Sequence, residues 1–287
     1  CELTANRADC FSVMGLVREI AVLTGKEFKK PEISVSESGK NATDLIKIEI
    51  ADTSVCKRFA ARVFENIKIE ASPNWMKQRL EAAGIRSINN IVDITNFVML
   101  ELGQPLHAYD YDTIKGKTLI ATKANPNEKI TTLDDVERNL TEEMIVIADI
   151  SGPVGVAGIM GGLATEVTAN TKTIVLEAAT FQGVSVRRTS RAFGLRSEAS
   201  GRFERGVDIV NIDAKLIDLQ KSNVLEFAFK IKEQILNCNG ASASAIKAVD
   251  FETFDDLFGR TWLEKETLND YSYFRKCAND ILENHFF

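Results

Sequence analysis

Only two histidines, His107 and His285, occur in 287 residues, and no cysteine or second histidine stands at metal-ligand spacing from His107. A metal centre is therefore not expected. The five cysteines, at 1, 10, 56, 238 and 277, neither pair at finger spacing nor make an even number. That excludes a disulfide frame as the organising principle and leaves reduced thiols. Apolar runs such as Met144 to Ala148 and Ile174 to Leu176 fall far short of the roughly 20 residues that cross a bilayer, and the opening residues do not lead one to expect a signal peptide. A cytoplasmic protein without a membrane partner is expected. Positive charge is also scarce: the net charge is −6 and the pI about 5.2. Binding nucleic acid by bulk electrostatics is thus excluded, and any RNA contact must be local. No Walker loop is present, no GxGxxG opens a helix after a strand, and no Ser, Thr or Cys sits in a nucleophile motif.

What the chain does have is 45% hydrophobic and 26% charged residues, enough for one large or two modest cores. Beginning with Cys1, it is expected to be a piece of a longer protein. Val13, Leu16, Val17, Ile20 and Ala21 recur at helical spacing, with Asp9 as the expected cap and Gly25 as the stop. Residues 26–43 have linker composition, so a domain boundary is expected there. LIKIEI and RFAARVFENIKI read as strands, and Trp75 to Ala83 as a short helix capped by Ser72. Asn90 to Leu102 reads as a helix with Ile91, Ile94, Val98 and Leu102 on one face, ended by Gly103 and Pro105. Further strands are expected at 118–124, 129–133, 144–148, 154–159 and 173–177. Strands with clustered helices define an α+β class. Residues 209–236 read as helix and 245–251 as a strand, and the remaining tail has no clear period.

Few residues suggest chemistry. His107 follows a helix-ending Gly and Pro, where a loop would expose it to a cleft; it could equally satisfy a local carbonyl. Thr95 and Asn96, with Asn89 and Asn90, form a polar face that either caps neighbouring elements or lines a site. Gly161 and Gly162 after a β-like run allow close approach of a ligand, or simply a tight turn. Glu177 ends the strand TIVLEA. A carboxylate in so apolar a run needs a polar partner, a site, or a turn towards water. Arg187, Arg188, Arg191, Arg196, Arg202 and Arg205 crowd into one segment, where Glu198 and Glu204 are expected to pair with them and leave little free positive charge.

Four segments, 4–25, 72–112, 154–162 followed by IVLEAATF, and 189–208, resemble the bacterial phenylalanyl-tRNA synthetase beta chain and stand in that family's order. The resemblance implies that residues 1–43 end a small adaptor domain, contributing its last helix and a linker. Residues 44–208 would be a strand-rich α+β editing domain with clustered helices, and 209–287 a helical continuation with an unassigned tail. The implied activity is hydrolysis of tyrosine misattached to the phenylalanine tRNA. The alternative is a non-catalytic module for tRNA docking and subunit packing. By motif position, His107 and Glu177 resemble residues that meet the tyrosine hydroxyl or orient the ester. Thr95 and Asn96 resemble pocket-lining polar residues, and Gly161, Ser197 and Ala199 small residues of the walls. No catalytic residue is assigned. The implied partners are mischarged tRNA(Phe), tyrosine and the alpha subunit. No cofactor is expected in this piece, with ATP and magnesium serving the whole synthetase. One departure is Asp135 where the family favours Gly in a hairpin turn, tolerable because Asp visits left-handed conformations.

Overall fold

The computed structural model describes residues 3–28 and 41–207. The expected helix at 209–236, strand at 245–251 and most of the 26–43 linker lie outside them. In chain order come α1 (Val13–Thr24), α2 (Ala42–Leu45), β1 (Lys47–Ile50), β2 (Cys56–Phe64), α3 (Asn74–Ala82), α4 (Asn90–Leu102) and β3 (Leu106–Asp110). There follow β4 (Thr118–Lys123), β5 (Lys129–Thr131), β6 (Glu137–Asn139), β7 (Ile145–Asp149), β8 (Gly152–Val156) and β9 (Met160–Gly161). The last described elements are β10 (Ile174–Phe181), α5 (Gly183–Phe193) and α6 (Glu198–Arg205). The class is α+β, as expected.

Two sheets organise the fold. The smaller runs β2-β10-β3, all antiparallel, with β10 at its centre. The larger runs β1-β4-β7-β8-β9, parallel between β1 and β4 and antiparallel elsewhere. Because strand side chains alternate, β10 serves two cores. Ile174 and Leu176 pack with Met76 and Leu80 of α3 and Ile91, Ile94 and Val98 of α4. Val175, Ala179 and Phe181 face the other way, joining Leu119, Ile147 and Val156 of the larger sheet. Each such side chain contributes roughly 1.5–3 kcal/mol by leaving water.

Helix limits follow local chemistry, with two corrections to the sequence reading. Ser12, not Asp9, caps α1: its hydroxyl accepts from Gly15 N, while Gly25 ends the helix in the left-handed region at φ 63°. Asp9 instead pairs with Arg7 at 2.8 Å. Ser72 does not cap α3; its hydroxyl donates to Asp93 across 2.5 Å. Asn89 caps α4 by accepting from the backbone N–H groups of Ile91 and Val92, and Gly103 stops it at φ 78°. Asp135 takes φ 60°, the left-handed conformation expected of its hairpin turn.

Three further elements differ from expectation. His107 lies on β3, not in an exposed loop, because the chain leaves α4 through Gly103 directly into pairing with β10. Strand β10 runs on to Phe181, so Glu177 stands in mid-strand, not at its end. Strand β6, unread in the sequence, closes a hairpin with β5.

Asp93 is fully buried and accepts from Ser72 Oγ at 2.5 Å, Ser87 Oγ at 2.5 Å and Ile88 N at 2.8 Å, tying the chain before α3 and the α3–α4 connection to α4. Asp93→Ala would strand these donors, at about 1–3 kcal/mol each where they stay dry. A loss of stability on the order of 3 kcal/mol is expected, lowering the melting temperature by roughly 6–12 °C. A melt shifted by under a degree or two would show that water replaces the carboxylate.

Candidate active site

The face of the β2-β10-β3 sheet turned towards the larger sheet carries the polar groups. Glu177 on β10 is paired with His107 on β3 and Ala61 on β2, while Tyr109 is paired with Val175. Antiparallel partners share a face, and the diagonal between Tyr109 and Glu177 is within reach of long side chains. The Tyr109 hydroxyl donates to Glu177 Oε2. The rings of His107 and Tyr109 meet edge to face, centroids 4.5 Å apart at 81°. On the other side of Glu177, Ala61 supplies little bulk, leaving the carboxyl space.

Above this face lies a cavity of about 90 Å³, room for several waters. Its floor is His107, Tyr109 and Glu177, and its walls are β7 and β8, the turn leading to Gly161, and Ala199 and Phe203 of α6. The glycines in the wall are thin for visible reasons. A Cβ on Gly161 would lie 2.5 Å from His107 Cε1 and 2.6 Å from its Nε2. Gly158 takes φ 71°, and a Cβ there would lie 2.8 Å from Phe203 Cδ2. Phe203 in turn leans on Phe181, with centroids 5.1 Å apart.

The enclosure sets the protonation states. Glu177 is 6% exposed, and burial pushes its carboxyl up to about 7, against the smaller lowering effect of the Tyr109 hydrogen bond. Burial by surrounding protein lowers the His107 imidazole to about 4, even though His107 retains some accessible surface along the cavity. Tyr109 is raised well above its ordinary 10 by burial and by the Glu177 charge. Between pH 4 and 7 both His107 and Glu177 are thus mainly neutral. Both remain hydrogen-bonding groups without forming an ion pair. Tyr109 engages one carboxyl oxygen of Glu177, Oε2, and the Glu177 side chain lines the cavity.

Of the residues expected at a site, His107, Gly161, Glu177 and Ala199 line this one cavity, and Thr95, Asn96 and Ser197 do not. Thr95 is buried in α4 and its hydroxyl donates to Val92 O at 2.7 Å, satisfying its own helix; Asn96 is half-buried on the same helix. Ser197 caps α6 by accepting from Ser200 N and donates to Ile159 O at 3.4 Å, which ties α6 to the cavity wall. Tyr109 was not anticipated; in LHAYD it stands two residues from His107, on the same strand face. No Ser, Thr or Cys is in the described lining. The group of acids and thiol at Asp9, Cys10 and Glu19 is already engaged by Arg7, which pairs with Glu19 at 2.6 Å and Asp9 at 2.8 Å. It therefore offers a cation a poor home. Among the described residues, no helix is long and apolar enough to cross a membrane.

The arginine segment divides. Arg202 is buried against Glu198 at 2.7 Å, and Arg205 and Arg196 meet Glu204 at 3.0 and 3.5 Å, the pairing expected. Arg188 pairs instead with Glu143 at 3.6 Å, both exposed. Arg187 and Arg191 are exposed and make no ion pair among the described residues.

The candidate site is a sheet-on-sheet cavity in an α+β domain, with a buried carboxyl and a part-buried imidazole at its floor. The sequence matches the B3/4 domain family over residues 55–222, more than half of the chain, and the chain belongs to that family. It is 56% identical over 208 residues to the phenylalanine–tRNA ligase beta subunit of Moorella thermoacetica, covering 72% of this chain and 26% of that protein. To the same subunit of Clostridium tetani it is 41% identical over 288 residues, 93% of this chain and 36% of that protein. The chain spans about a quarter to a third of the curated relatives it matches. A solved N-terminal fragment of the phenylalanyl-tRNA synthetase beta subunit from Pyrococcus horikoshii aligns over 68% of this chain and 59% of that chain. Its identity is 16% and its TM-score 0.35. The sequence identities to these beta subunits bear out the resemblance read from the four segments.

The raised carboxyl has a consequence for stability. Glu177 binds its proton more tightly folded than unfolded, so this stabilisation is complete below about pH 4.5 and lost as pH rises to about 7. Glu177→Gln removes that dependence. Between pH 4.5 and 7 the stability difference should move in favour of the variant by about 3 kcal/mol. Chemical denaturation of both proteins across this range measures it, and a difference that stays constant with pH would show that Glu177 titrates normally.

Proposed function

We propose that the chain is the editing part of a phenylalanine–tRNA ligase beta subunit, and that its cavity hydrolyses Tyr-tRNA(Phe). The observation that carries this reading is the cross-strand pair of His107 and Glu177 at the floor of an otherwise apolar cavity. A tyrosine ring entering there donates its hydroxyl to the second oxygen of Glu177 and accepts from the neutral imidazole of His107. A phenylalanine ring has the same shape but leaves both groups unpaired and dry. A site built to hydrogen-bond a substrate hydroxyl rejects the analogue lacking it by about 10⁴ or more.

Hydrolysis of the ester needs a positioned water more than a protein nucleophile, in keeping with a lining that lacks Ser, Thr and Cys. The exposed arginines Arg187 and Arg191 of α5, which make no ion pair among the described residues, give tRNA a local positive surface on a chain whose net charge is −6. In this reading tRNA(Phe) and the alpha subunit are the partners, in the cytoplasm. Aminoacylation with ATP and magnesium proceeds elsewhere in the synthetase.

The test is deacylation of Tyr-tRNA(Phe) and Phe-tRNA(Phe) by the chain alone and within the assembled synthetase. The native protein should deacylate the tyrosyl ester in strong preference. Assayed above pH 7, where Glu177 is ionised, Glu177→Gln should reduce that preference roughly ten- to a hundredfold while leaving the fold intact, the loss of about 1.5–3 kcal/mol in one charge-assisted hydrogen bond. Inactivity of the native protein in both settings would favour a docking module instead.

Gly161→Ala offers a separate check. Its Cβ, 2.5 Å from His107, must push the imidazole aside, and a displacement near 1 Å costs about 10²-fold in rate. Full deacylation by this variant would remove His107 from the reading.

A further inference from the structure

The proposed reading leaves one polar group of the cavity floor without a role. Tyr109 is 1% exposed and its hydroxyl is committed to Glu177. A buried tyrosine needs a single acceptor, and a backbone carbonyl would serve as well without the cost of burying a carboxyl. Here the acceptor is the one acid on the central strand, and the tyrosine ring also meets the edge of the one histidine on that face. Gly155 lies across from the hydroxyl, where a Cβ would sit 3.7 Å away, so the opposite sheet gives the phenol space without competing for it.

We propose that Tyr109 is the positioning residue of this pocket: its phenol holds one oxygen of Glu177 and its ring braces His107. The second carboxyl oxygen and the imidazole are thereby left in place to receive an incoming phenol. The inference rests on the tyrosine-reading function proposed above and extends it. The protein's own phenol occupies half of the acceptor, and the ligand's phenol takes the other half. Without Tyr109, Glu177 could rotate to present either oxygen, and its dry oxygen would favour the protonated form still more.

The titratable groups facing Glu177 are few. His107 and Tyr109 stand on β3, and Cys56 on β2 feels the Glu177 charge with its thiol pushed up to about 12 by burial. The larger sheet and α6 present no titratable side chain to the described cavity. A change in Glu177 titration on altering Tyr109 therefore reports on their contact.

Two measurements on the full chain test the inference. In the first, the Glu177 carboxyl is followed by carbon-13 NMR through pH, its resonance assigned by its loss in Glu177→Gln. Tyr109→Phe keeps the ring and its contact with His107, and should raise the midpoint above the native value of about 7. Replacing Tyr109 by 3-fluorotyrosine, a stronger donor of the same shape, should lower it. Midpoints that do not move in either variant overturn the inference, whatever the enzyme assay gives.

In the second, tyrosyl over phenylalanyl deacylation is compared in Tyr109→Phe, Glu177→Gln and the double variant. Tyr109→Phe should lose about tenfold in preference, the worth of one hydrogen bond. It should lose nothing further when added to Glu177→Gln. Additive losses would mean that Tyr109 acts independently of Glu177 and would overturn the positioning role. A native protein without deacylation would overturn the proposed function alone, since the NMR midpoints still decide whether Tyr109 holds Glu177.

Discussion

The burial of one carboxyl group, that of Glu177, constrains most of what surrounds it. A charged carboxylate between two sheets would cost several kcal/mol even after relaxation. The fold meets this by raising the pKa of the group to about 7, which keeps it protonated at lower pH, and by donating the Tyr109 hydroxyl to it. Val175 and Ala179 on either side and Ala61 across the strand keep its neighbourhood apolar and its space open. The facing wall is built from glycine where the chain must pass close to other side chains, at Gly161 beside His107 and at Gly158 beside Phe203. These choices depend on a polar floor beneath an apolar roof.

Protonation decides what such a floor can do. Glu177 ionises only towards pH 7 and above, whereas His107 acquires its proton only towards pH 4, so the two are not charged together. An ion pair at this position would satisfy itself and leave nothing for a ligand. An uncharged imidazole beside a carboxyl oxygen instead offers a donor and an acceptor, the complement of a hydroxyl. Burial lifts the acid and depresses the base, and recognition gains from both.

Much of the frame was legible in the sequence because its signals are local. Asn90 to Leu102 shows a 3.6-residue apolar period, an Asn cap and a terminal glycine, and α4 has those bounds. Cap choice was less legible: Asp9 and Ser12 both fit, and the difference lies in Arg7 claiming Asp9. LHAYD was too short, and too close to a Gly-Gln-Pro stretch, to announce a strand, so β3 was read as a loop. With β3 went Tyr109, whose relation to His107 needs the two-residue period and to Glu177 needs cross-strand register. Thr95 and Asn96 show the converse: polar residues on an apolar helix drew attention, but Thr95 answers to its own backbone, on the helix side of the sheet.

Register is what places the site, and the two cores are what hold register. A slip of one residue along β10 would turn Glu177 towards α3 and α4 and bring Ile174 and Leu176 against the larger sheet, since every side chain changes face. Strand β10 is hydrogen-bonded on both edges, from Ile174 to Phe181 with β2 and from Ile174 to Ala178 with β3, so a slip would have to break both ladders at once. Helices α3 and α4 add a second restraint, because their apolar faces fit Ile174 and Leu176. Asp93 keeps that helical layer together through Ser72, Ser87 and Ile88. The fully buried Asp93 side chain on the far side of the sheet thus helps to fix Glu177 on the near side. The connection between them runs through packing against β10, with no hydrogen bond shared by the two acids.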